Sequence, residues 1–290
     1  MINNRDKQQR LILLGSGEVA QYEVGNKATL LDKALKAGLP VPRGIVILDS
    51  AYREALKRGL LVRREQIISA LDPDELVDFL GIPRFELPVA VRSAFSAEDR
   101  AEESLAGFFT SNLGVNAMNP VTLTGALCAV WTSALNREGD FRRDVLIMEM
   151  VKAEHAGVAF TEREYEDDLV NYTSGTADQL VSGKVAGENV NLPKLRRWED
   201  QRGTDNLPVF LPRLQVLLRN IRSVFGQDDW DIEWADNGRK CWLVQVRPVT
   251  RLTQRNDAFT VANLKEIFPE VPSRFMMSMI EDCGAALFAY

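Results

Sequence analysis

Trp230-Asp231-Ile232-Glu233-Trp234, followed by Cys241-Trp242-Leu243-Val244-Gln245-Val246-Arg247-Pro248-Val249-Thr250, is the stretch whose reading decides the fold. Polar residues alternate with Trp, Ile, Leu and Val in both halves, the pattern of strands with one buried and one solvated face. Asp236-Asn237-Gly238 between them is a turn signal, so the two halves predict a β-hairpin. The length of the turn decides which side chains share a face. A two-residue Asn-Gly turn pairs Glu233 with Trp242 and sends Gln245 and Arg247 away from Asp231 and Glu233. A three-residue loop with Gly238 left-handed puts Asp231, Glu233, Leu243, Gln245 and Arg247 on one face. We take the three-residue loop as the expectation. Carboxylates, an amide and a guanidinium gathered in this way can hold a metal ion and a polyphosphate together. The same spacing also suits an ordinary amphipathic hairpin with a solvated charged face.

Working outward, helical and extended patterns interleave. Helices are expected over Ala28 to Ala37, Asp49 to about Arg58, Arg64 to Leu71, Pro73 to Leu80, Pro120 to Arg137 and Pro212 to Phe225. Strands are expected over Ile45 to Leu48, Leu87 to Val91, Val145 to Val151, Gly157 to Phe160 and Asp168 to Tyr172. The polar segment Gly187 to Asn206 reads as a surface connection. Helices mixed with antiparallel hairpins make the class α+β.

The chain has 290 residues, 46% hydrophobic and 26% charged, as in a soluble globular protein. Its net charge of -6 argues against a nucleic-acid partner. The polar start Met1 to Lys7 lacks a signal-peptide core, and no apolar run approaches the ~20 residues that span a bilayer. Cys128, Cys241 and Cys283 are odd in number and widely spaced, which suits reduced thiols in a cytoplasmic protein. The single histidine, His155, would have to serve any Ser-His-Asp or Cys-His mechanism. Its place between two strand-like runs suggests a hairpin corner instead.

Two basic residues stand out. Lys27 lies at the start of a helix, where free N–H groups already attract anions. Arg92 ends the apolar run Val89-Ala90-Val91, which places a guanidinium at a sheet edge. A surface lysine and an arginine paired with Glu98 or Asp99 are the plainer alternatives. Gly107 in Ser104-Leu105-Ala106-Gly107 and the loop Gly175-Thr176-Ala177-Asp178 could admit phosphate to the backbone, but as spacings they are weak signals.

Taken in order, five segments resemble the nucleotide-binding domain of the pyruvate phosphate dikinase and phosphoenolpyruvate synthase family. They are Val24-Gly25-Asn26-Lys27, Gly38 to Gly44, Val91 to Asp99 with Ser104 to Gly107, Ala156 to Thr161, and the closing hairpin. The resemblance runs from about Gly17 to Thr250, most of the chain. It implies an ATP-grasp-like fold, two α+β lobes with antiparallel sheets clamping ATP and Mg2+. The implied unit is 10–252, with lobes of roughly 10–140 and 141–252, and 253–290 as a linker or tail.

The resemblance also implies roles. Lys27, Arg92, Gly107, Asp231, Glu233, Gln245 and Arg247 would bind nucleotide, Glu233 and Gln245 would hold magnesium, and Arg92 and Arg247 would be catalytic. In the family the phosphoryl group passes from ATP to a histidine on a separate domain, so a phosphohistidine carrier in cis or trans is the implied partner. The chain departs from the family at Met148 (usually Gln), at Arg163-Glu164 and at Thr176-Ala177-Asp178. No Ser-His phosphocarrier motif follows Thr250, so the sequence looks like an excised first domain. A non-catalytic remnant that binds nucleotide weakly or docks a partner is the alternative expectation.

Overall fold

The computed structural model describes residues 9–99, 109–135, 141–161, 163, 165–175, 187–195, 208–226 and 229–249. In chain order the strands are β1 (Leu11–Leu13), β2 (Gly44–Ile47), β3 (Leu61–Arg64), β4 (Ile67–Ala70), β5 (Val89–Ser93), β6 (Ser111–Val115), β7 (Val145–Glu149), β8 (His155–Thr161), β9 (Asp167–Ser174), β10 (Glu188–Pro193), β11 (Trp230–Asp236) and β12 (Cys241–Pro248). The helices are α1 (Asn26–Lys36), α2 (Asp49–Lys57), α3 (Pro73–Leu80), α4 (Pro120–Ser133) and α5 (Leu211–Phe225). Two five-stranded sheets, ordered β1-β2-β7-β5-β6 and β10-β9-β8-β11-β12, carry the fold, and β3-β4 form a separate hairpin. Neighbours are antiparallel throughout.

Local chemistry sets the helix ends. Asp72 caps α3 by accepting the Glu75 N–H at 3.0 Å, Pro73 follows it, and left-handed Gly81 ends the helix. Asn119 caps α4 in the same way, accepting from Val121 and Thr122.

Alternation along the first sheet builds two cores. Ile45, Ile47, Val145 and Ile147 face α2, α3 and α4 with Tyr52, Leu76 and Trp131. Val46, Leu48, Leu146 and Met148 face the other way. There they join Leu31 of α1, Ile232, Trp234 and Leu243 of the hairpin, and Leu214 and Leu218 of α5 in one continuous core. The first sheet therefore shares its second core with the second sheet, and α1 packs on β12 between them.

Three expectations are corrected. Arg64 to Leu71 is not a helix but the turn and second strand of the β3-β4 hairpin. Arg63 to Gln66 are good helix formers, and Ile67, Ile68 and Leu71 fit a helical stripe, but the left-handed Glu65 turns the chain back. The supposed surface connection contains β10, whose Leu192 is fully buried while Asn189 and Asn191 face outward. As an edge strand it tolerates Pro193. Third, the closing hairpin has a four-residue loop, 237–240, with Asp236 opposite Cys241.

Candidate functional site

The longer loop puts the hairpin out of the expected register, and a β-bulge restores the face. Near the turn Ala235 pairs with Trp242 and Trp234 with Leu243. The register then shifts between Glu233 and Trp234, with Val244 as the extra residue, and beyond it Glu233 pairs with Gln245 and Asp231 with Arg247. Asp231, Glu233, Gln245 and Arg247 thus share one face, as expected. Leu243 does not join them; it pairs with Trp234 and is fully buried in the core. The loop is held by Asp236 and Asn237, whose carboxylate and amide oxygens accept the N–H groups of Gly238 and of Arg239 and Lys240. Gly238 is left-handed, φ 80°.

The first sheet supplies Arg92. Its Nη1 reaches Glu233 Oε2 at 3.4 Å, joining residues 141 apart in sequence. Both side chains are mostly enclosed, 14% and 21% exposed. Arg92 Nε is buried and has no hydrogen-bond partner among the described residues. The Glu98 and Asp99 side chains, the plainer partners for Arg92, lie outside the described residues. Arg247 donates from Nε to Asp231 Oδ2 at 2.7 Å and is half exposed.

Lys27 sits in the first turn of α1. Gly25, which precedes that helix, donates to the Ala94 carbonyl at 3.2 Å. A Cβ on Gly25 would lie 2.6 Å from the Phe95 oxygen and 2.9 Å from that of Ala94. The helix start is therefore seated against the chain just after Arg92. Gly107 lies outside the described residues, as do Thr176, Ala177 and Asp178.

Sequence reasoning did not single out the apolar wall of this face. Val158 and Phe160 of β8 stand directly opposite Glu233 and Asp231 on β11, both half-buried. The alternation along His155 to Thr161 carried that signal. His155 itself opens β8 opposite Asp236, on the other face, with its ring stacked on Phe210 at 4.2 Å. Met148 is buried in the core.

Glu233 and Gln245 are hard oxygen donors on directly opposed residues, with the Asp231 carboxylate beside them. That set suits magnesium, which takes one or two protein carboxylates and completes its shell with water and substrate phosphate. The buried Arg92 Nε, without a hydrogen-bond partner among the described residues, suits an anionic oxygen next to it.

Residues 75–209 match the family described as "Pyruvate phosphate dikinase, AMP/ATP-binding domain". Over that stretch, a little under half of the chain, it is similar to the AMP/ATP-binding domain of that family. It is 27% identical to the prodigiosin synthesizing transferase PigC of Serratia marcescens, over 93% of this chain and 36% of that protein. It is 25% identical to a probable phosphoenolpyruvate synthase of Methanocaldococcus jannaschii, over 79% of this chain and 25% of that one. An uncharacterized phosphotransferase, YvkC of Bacillus subtilis, is 26% identical over 85% of this chain and 36% of its own length. The chain thus spans about a quarter to two-fifths of the first relatives it matches. Among solved structures, D-alanine-D-alanine ligase from Helicobacter pylori aligns with a TM-score of 0.42 and 12% identity, covering 85% of this chain and 61% of that one. No helix among the described residues is long and apolar enough to cross a membrane.

Proposed function

We propose that this chain binds ATP with magnesium between its two sheets and presents the terminal phosphates to a histidine on a separate domain or partner. The observation that carries the reading is the meeting of Arg92 from the first sheet with Glu233 from the second, on a face that also holds Asp231, Gln245 and Arg247. Arg92, Arg247 and Lys27 would contact phosphate oxygens and offset the charge that develops as the phosphoryl group leaves. Glu233 and Gln245 would hold the metal, which would supply positive charge against the phosphate oxygens. Val158 and Phe160 would exclude water from the same face. The relatives named as phosphoenolpyruvate synthases support this reaction class.

The unit is taken as 10–252, with 253–290 as a linker or tail, and the phosphocarrier would act in cis or in trans. The shared core between the sheets supports a single unit. Met148, buried where the family usually has Gln, favours a second reading in which nucleotide is bound without transfer.

Thermal unfolding of wild type and Glu233→Ala, each with and without Mg·ATP, tests the site. At ~100 times Kd the ligand should stabilise wild type by ~2.7 kcal/mol and leave Glu233→Ala nearly unshifted. Arg247→Ala should fold and lose at least ~10-fold in Mg·ATP affinity, about 1.4 kcal/mol. Wild-type affinity in either variant would remove the assignment. Transfer itself is tested by mixing the chain with a phosphocarrier domain and labelled ATP; binding without label on the carrier would favour the second reading.

A further inference from the structure

Both guanidiniums on the hairpin face are already engaged by carboxylates of β11, Arg92 by Glu233 and Arg247 by Asp231. These four groups sum to no net charge. A polyphosphate arriving without metal must pull Arg92 from Glu233 and leave that carboxylate beside its own negative oxygens. With a divalent cation at its carboxylate, Glu233 would no longer occupy Arg92, which would then be open to a phosphate oxygen. The Arg92–Glu233 contact is long, 3.4 Å, against 2.7 Å for Arg247 to Asp231, so it is the looser of the two. It is also the more enclosed, which limits screening by salt.

We infer that Glu233 is a specificity-determining residue that rejects metal-free polyphosphate, by occupying Arg92 until a divalent cation takes its carboxylate. The inference rests on the nucleotide site proposed above. It assigns Glu233 a role before ligand arrives, distinct from holding metal afterwards. If Glu233 only held metal, removing its charge would weaken Mg·ATP, relieve at most a plain repulsion of metal-free ATP, and leave the Arg92 Nε–H environment indifferent to magnesium. If it also guards Arg92, the same change strengthens binding of metal-free ATP.

Isothermal titration of wild type and Glu233→Gln with ATP in EDTA, and with ATP in excess magnesium, separates these outcomes. Glu233→Gln should bind metal-free ATP about two- to fivefold more tightly than wild type, the worth of a partly exposed ion pair, and should gain less from magnesium. Asp231→Asn, which releases the more exposed Arg247, should change metal-free binding less. A second readout needs no variant to bind nucleotide. The Arg92 Nε–H resonance should move on adding magnesium alone to wild type and stay in place in Glu233→Gln. Wild type that binds Mg·ATP, with Glu233→Gln no tighter for metal-free ATP, would overturn the guard and leave the site standing. Wild type that fails to bind Mg·ATP at millimolar concentration would overturn both.

Discussion

Asp236 is fully buried, and its two carboxylate oxygens each lie 2.7 Å from Arg213. Burial alone would raise its pKa, but the hydrogen bonds from Arg213 and the Gly238 N–H outweigh burial and hold it below the ordinary carboxylate value. A folded-state pKa depressed in this way adds stability that is fully present above the unfolded value of about 3.9 and is lost as pH falls through the folded value. Asp236→Asn should therefore cost about 2 kcal/mol at pH 7, less than a fully buried pair because Arg213 keeps some access to water. The difference from wild type should shrink as pH falls below about 4. Urea unfolding of both proteins at pH 7 and pH 3 checks this; an equal difference at both values would mean the carboxylate charge is not what holds the loop. The same residue scale shows what a sequence conceals. Arg92 at a strand end and the acids of the hairpin were legible as candidates, because their own neighbours set their direction. Their pairing was not, since nothing local links positions 141 apart.

At the scale of elements, the closing hairpin shows a correct conclusion resting on an incorrect step. Alternation in each strand fixed which residues move together, but loop length and bulge position jointly set the register. The expected three-residue loop is a four-residue one, and the bulge at Val244 brings Gln245 and Arg247 back to the acidic face. Leu243, on the turn side of the bulge, kept the other parity and went to the core. The β3-β4 hairpin failed for the opposite reason: its turn has helix-forming residues and no glycine, so local propensity pointed the wrong way. Strand β6 was not anticipated, since Ser111-Asn112-Leu113-Gly114-Val115 has little β propensity and lies at the sheet edge. The seating of α1 was legible only as a glycine before a lysine; the reason for the glycine is the backbone at Ala94 and Phe95. Gly25→Ala would place a methyl 2.6 Å from the Phe95 oxygen, and backbone cannot rotate away as a side chain can. We expect a loss of about 1–3 kcal/mol in stability. Mg·ATP affinity should fall as well, as the start of α1 moves from Arg92. Unchanged nucleotide affinity in a folded Gly25→Ala protein would show that Lys27 does not depend on this contact.

For the whole molecule, the proposed site needs the two sheets to stay together, because each supplies one partner of the Arg92–Glu233 pair. What keeps them together is the core from Val46, Leu146 and Met148 through α1 to Ile232, Trp234 and α5. Leu31 of α1 is fully buried in it. Leu31→Ala leaves a cavity that neither sheet can close alone, at an expected cost of about 2–5 kcal/mol. A shared core also predicts how that loss is distributed. Hydrogen exchange should rise together in β2 and β7 of the first sheet and in β8 and β11 of the second, because opening one sheet exposes the apolar face of the other. The helices on the far side of the first sheet pack on a separate core. They should lose protection only to the extent that the first sheet does. Exchange that rises in one sheet alone would mean that the sheets unfold as separate units. The nucleotide would then have to close the site on binding rather than find it assembled.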